Sequence, residues 1–180
     1  WDWQRIPGTV GCASHESVVS VNNAHYFVGA QNIYVFDGAT VQPIGDKIAR
    51  WFFSQLNNTY KNNIRGIADA SKDLIYWYYP TASSTLDACI VYNYVSGEWG
   101  RISGSIQAPV DFISGQITWD NLGKLGSTWD DLPQVTYDSG FWLADSTQPA
   151  IIDTTNTLRT LTGAPTSGYF TVGDVGDLVD

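Results

Sequence analysis

The feature that most constrains this chain is a succession of short apolar runs, each closed by turn residues. Ser17 to Val21 reads SVVSV, His25 to Ala30 reads HYFVGA, and Asn32 to Phe36 reads NIYVF. Such runs are rich in β-branched and aromatic residues and fit strands. Asp37-Gly38 follows the third run, and TVQPI comes after it. An apolar run, Asp-Gly and a second run predict a hairpin. IRGIADASKDLIYWYY predicts another, turning around Ser71 to Asp73. ACIVYNYVSGEWGRI predicts a third, turning at Ser96-Gly97. The expected fold class is therefore all-β, built from antiparallel strands.

One segment breaks the pattern. KIARWFFSQL follows Gly45-Asp46 and places Ile48, Trp51, Phe52 and Leu56 on one face at helical spacing. It predicts a short inserted helix over about 46–57, with Asp46 as its cap and Asn57-Asn58 as its end.

A weak repeat runs through the chain. Turns at 37, 95 and 153 each follow two strand-like runs and precede a third. A period of this length with several strands per unit reads as β-propeller-like blades, over about 17–45, 63–103 and 136–163. Residues 116–135 form a linker containing a repeat of their own. Closed propellers have about 4–8 blades, so the chain is expected to be one segment of a larger propeller. It contains no Met and begins at Trp1, which also fits an internal or processed segment.

The net charge is −9, and its distribution matters more than its size. Residues 1–90 carry six Lys and Arg against seven Asp and Glu, whereas residues 91–180 carry three against eleven. Like charges repel, so this surface is not built to grip a phosphate backbone. No apolar run is long enough for a membrane-spanning helix.

The linker reads TWDNLGKLGSTWDDLPQV and repeats the step Thr-Trp-Asp. Paired carboxylates beside tryptophans are the raw material of glycoside hydrolysis. Here the two steps are nearly identical, so their acids would take equivalent roles, not the opposed roles of acid and base. Leu follows the acids at once, which does not match a calcium loop. Asp120, Asp130, Asp131 and Asp138 are therefore read as an acidic surface. Cys12 and His15 lack a second tight pair for zinc, although His25 and Cys89 could complete four ligands. The two cysteines are expected to be buried thiols, with one long-range disulfide between Cys12 and Cys89 as the alternative. Ser14-His15-Glu16 are sequence neighbours, and on a strand neighbours point to opposite faces. No catalytic residue, metal or cofactor is assigned. Within YWYY, alternation presents one half of the side chains outward, which makes Trp77 and Tyr79 candidates for an exposed aromatic contact.

The segments NIYVFDGATVQPIGDKIARWFFSQLNNTY, DLIYWYYP and IVYNYVSGEWGRI together resemble a family of bacteriophage virion proteins. These are the tail hub or nozzle proteins of short-tailed phages, of the packaged-DNA stabilisation type. The resemblance spans about Gly8 to Ile102, and TWDDLPQVTYDSGFWLADSTQPAIIDTTNTLRTLTGAP is similar to the segment that follows in the same family. It implies a non-enzymatic propeller-like subunit located in the virion tail. It also implies a homo-oligomeric ring around the DNA exit channel, in contact with other tail, adaptor or portal proteins. DNA would pass without specific binding. The alternative is a glycan- or receptor-binding propeller of a tail component.

Overall fold

The structure, a computed structural model, describes residues 10–113, 128, 130 and 147–161. Four strands, β1 (Val19–Val21), β2 (Ala24–Val28), β3 (Ile33–Phe36) and β4 (Val41–Pro43), form one antiparallel sheet in chain order. The helix α1 (Ala49–Gln55) and a 3-10 stretch at Asn58–Asn63 connect it to a second sheet. That sheet holds β5 (Arg65–Asp69), β6 (Leu74–Tyr79), β7 (Leu86–Asn93), β8 (Trp99–Ile113), β9 (Thr147–Asp153) and β10 (Leu158–Thr160), again in chain order. The fold is all-β, made of propeller-like meanders with one short inserted helix.

The turns explain why these residues pair locally. Asn22 and Asn23 both take left-handed backbone angles, with φ of 50° and 62°, giving the tight turn that matches strand twist. Asp37 Oδ1 accepts hydrogen bonds from the Ala39 and Thr40 amides, with Gly38 at φ 95° between. Asn93 Oδ1 accepts from the Val95 and Ser96 amides, and Gly97 follows at φ 72°. Asp153 Oδ1 accepts from the Thr155 and Thr157 amides, with Asn156 at φ 61°. The three turns thus share one chemistry, anchored at residues 37, 93 and 153.

Of the third expected unit, 136–163, residues 147–161 are described, and their two strands lie in the second sheet. Beyond an irregularity at Ile106/Ala108, β8 continues as an edge on which β9 pairs, so β9 and β10 extend the second sheet. The helix is shorter than expected, and Asp46 does not cap it. Ile48 stands at the cap position without a side-chain bond, the Gly45 carbonyl accepts from the Ile48 and Ala49 amides, and Asp46 accepts from Asn32 instead. The apolar face itself is as read: Ile48, Phe52 and Leu56 are buried, and Trp51 is half-buried.

The second sheet curls on itself, since β5 touches β8 and β9, its third and fourth neighbours. One face packs Ile67, Tyr76, Tyr78, Leu86, Cys89 and Ile106 into the curl. The opposite face packs Ile75, Trp77, Tyr79, Ile90 and Tyr92 against Val19, Val21, Val28 and Ile33 of the first sheet, and against Phe52 and Leu56. Each large side chain fully buried this way contributes about 1.5–3 kcal/mol of transfer free energy.

Candidate functional site

Trp77 and Tyr79 are not an exposed contact. Their exposures are 0% and 1%. The expectation of an outward half assumed that one sheet face meets solvent. Here Tyr76 and Tyr78 fill the curl, while Trp77 and Tyr79 form the seam between the two sheets. Trp77 donates its indole Nε1–H to the Ser17 carbonyl at 2.9 Å, and its ring stacks with Trp99 at 6.0 Å. Tyr79 meets Phe52 edge-on at 4.8 Å. Gly66 admits this approach. A Cβ there would collide with Val19 Cγ2 and lie 3.0 Å from Trp77 Nε1 and 3.1 Å from the Ser17 carbonyl. Burial pushes the Tyr79 hydroxyl up to about 12 and raises Tyr78 and the Cys89 thiol further.

Of the acids read as a surface, Asp130 is exposed. Asp120, Asp131 and Asp138 lie outside the described residues. Elsewhere carboxylates hold turns. Asp87 accepts from the Thr81 amide and hydroxyl, and Asp69 from the Ser71 amide and hydroxyl. Asp153 also pairs with Arg159. Backbone hydrogen bonds from Thr40 and Ala39 hold Asp37 below the usual carboxylate range. Hydrogen bonds from Thr155 and Arg159 do the same for Asp153. Burial pushes Asp69 up, but Ser71 and Lys72 outweigh it and the net shift is downward. A general acid working near neutral pH needs its pKa raised. These three groups are shifted the other way, toward the charged form.

The remaining candidates do not converge. The Ser14 hydroxyl donates to the Asn62 carbonyl, while His15 comes within 3.9 Å of Glu16, which also pairs with Arg65. Cys12 and Cys89 are both free thiols. Cys89 is buried within the curl, but Cys12, which bridges Gly29, is exposed, contrary to expectation. Among the described residues, no three His, Cys, Asp or Glu side chains gather at metal-binding distance. No helix among them is long and apolar enough to cross a membrane.

One pairing was missed in the sequence. Ser20 Oγ and His25 Nδ1 lie 2.7 Å apart on the exposed side of β1 and β2, with His25 stacked on Phe36. The Asn22-Asn23 turn sets the register that places Ser20 opposite His25, and that dipeptide was the available signal. No family model matches the chain, and no curated protein is significantly similar to it.

Proposed function

We propose that this chain is a structural segment of the tail of a short-tailed bacteriophage, in a hub or nozzle. Its copies would form a ring around the DNA exit channel that retains and guides packaged DNA, in contact with neighbouring tail, adaptor or portal proteins. The observation that carries the reading is the seam. Two antiparallel meanders with a shared Asp/Asn turn chemistry pack through one continuous aromatic layer. The most concentrated aromatic chemistry of the chain is thereby spent on cohesion. The sequence resemblance supplies the tail setting. The carboxylate excess of residues 91–180 gives the channel wall its physical basis, since an acidic wall lets a polyanion pass without sticking.

Assembly and DNA contact test the reading together. Sedimentation of the full chain at near-physiological salt should show a discrete closed oligomer, and duplex DNA should migrate unretarded in its presence. A monomer at every concentration, or a salt-sensitive complex with duplex DNA, would count against it. The glycan- or receptor-binding alternative no longer rests on Trp77 and Tyr79, because neither reaches the surface.

A further inference from the structure

The edge of a sheet carries unpaired N–H and C=O groups, and folded chains blunt such edges. Most edges here are blunted. β4 ends in Pro43, which has no N–H to offer. β1 and β5 face one another across a cleft, and β10 is only three residues long. The start of β8 carries no such protection. β9 pairs with β8 only from Ile106 onward, so among the described residues no strand lies on that side of residues 99–105. Residues 100–105 are all exposed.

The register decides which backbone groups face outward. The Asn93 N–H donates to the Glu98 carbonyl at 3.0 Å, and bonded pairs alternate from there, Val91 with Gly100 and Cys89 with Ile102. Trp99, Arg101 and Ser103 therefore turn their N–H and C=O groups away from β7, to the open side. An extended backbone matches that spacing of donors and acceptors. Ile102 adds an apolar point at 46% exposure. Gly100 stands beside it on the same face, where a Cβ would meet nothing closer than Val91 at 3.9 Å. Arg101 is held against its own subunit, stacked over the Trp51 ring at 4.6 Å.

We propose that the start of β8 pairs antiparallel with the start of β8 in a second copy, about a two-fold axis at Ile102. An antiparallel edge is its own complement, since each donor meets an acceptor when the strand is turned on itself. The register centred on Ile102 bonds Arg101 to Ser103 of the second copy, and the reverse. It also sets the two half-exposed Ile102 side chains side by side across the axis. Centring on Arg101 instead would oppose two guanidiniums, which destabilises a cross-strand pair. A two-fold contact closes on itself, whereas a ring is built head to tail from two different surfaces. The inference therefore does not rest on the tail reading.

Two variants of the full chain test it. Ser103→Pro removes an outward N–H that the β7 ladder does not use, so the thermal midpoint should move little. Sedimentation should show a monomer–dimer equilibrium in the parent chain, weakened by about tenfold or more in Ser103→Pro. Ile102→Cys, in a Cys12→Ser background, places two thiols at a non-bonded antiparallel pair, where Cα atoms lie about 4.5 Å apart and a disulfide fits. Under mild oxidation it should cross-link at least about tenfold faster than Val95→Cys, whose site is more exposed but lies on a turn. This second measurement stands even if Ser103→Pro fails to fold. A monomer at every concentration, which leaves the edge to a strand of another protein or to none, would overturn the proposal. So would a dimer indifferent to Ser103→Pro, or Ile102→Cys cross-linking no faster than Val95→Cys. A larger closed species insensitive to both variants would overturn this contact and leave the ring standing, and a dimer lost in Ser103→Pro with nothing larger would do the reverse.

Discussion

At the scale of single residues, the seam depends on what is small as much as on what is large. Gly66 lies where a Cβ would press into Val19 and crowd the Trp77 indole. Gly66→Ala should therefore destabilise the fold by about 1–3 kcal/mol, read as a lower urea midpoint at unchanged slope. Pairing it with Val19→Ala should recover part of the overpacking loss, because the two sites share one contact. Trp77→Phe should cost a similar amount, since it leaves a void and removes the donor to the Ser17 carbonyl. The thiols separate by environment in the same way. Cys12 should react with an alkylating reagent in the native protein, and Cys89 only after unfolding, giving one label natively and two in denaturant. None of these contacts was legible in the sequence. Gly66 reads there only as a glycine in a strand, and the two cysteines look alike.

Elements were far more legible than contacts. Alternating apolar runs and Asp-Gly or Ser-Gly turns located the hairpins because strand and turn preferences are local. The helix face was legible for the same reason. What escaped was non-local. The curl of the second sheet brings β5 to β8 and β9, and no periodicity encodes that return. Nor does any periodicity encode the packing of the first sheet and α1 on the other face, which made a second interior there and is why Trp77 and Tyr79 were misplaced while their strand was not. The turns also set the pH response. Asp37, Asp69 and Asp153 are held below the usual carboxylate range, so the folded state binds their protons less readily than the unfolded chain. Their contribution is full above about pH 4 and is lost as pH falls through the lower folded values. Asp69→Asn should flatten that acid limb and cost about 1–2 kcal/mol at neutral pH, because its side chain is almost fully buried. On the alkaline side the sign reverses. Tyr79 is raised, so its contribution is full below about pH 10 and is lost as pH climbs through about 12. Denaturant midpoints measured across pH should show both limbs.

At the scale of the whole molecule, the described residues are joined through one aromatic layer. Trp77, Tyr79, Tyr92 and Phe52 sit in one layer joining two meanders. The carboxylate excess falls in residues 91–180, where Asp130 is exposed. In the proposed subunit this acidic composition disfavours adhesion of DNA. Its location is the most direct test. Electron cryo-microscopy of intact short-tailed phage particles carrying this chain should show a ring at the tail. The two-sheet body should dock into each repeat, with the exposed edge of β10 and Asp130 toward the channel. Density for the chain in the capsid shell, or a ring with Asp130 turned away from the channel, would contradict the account.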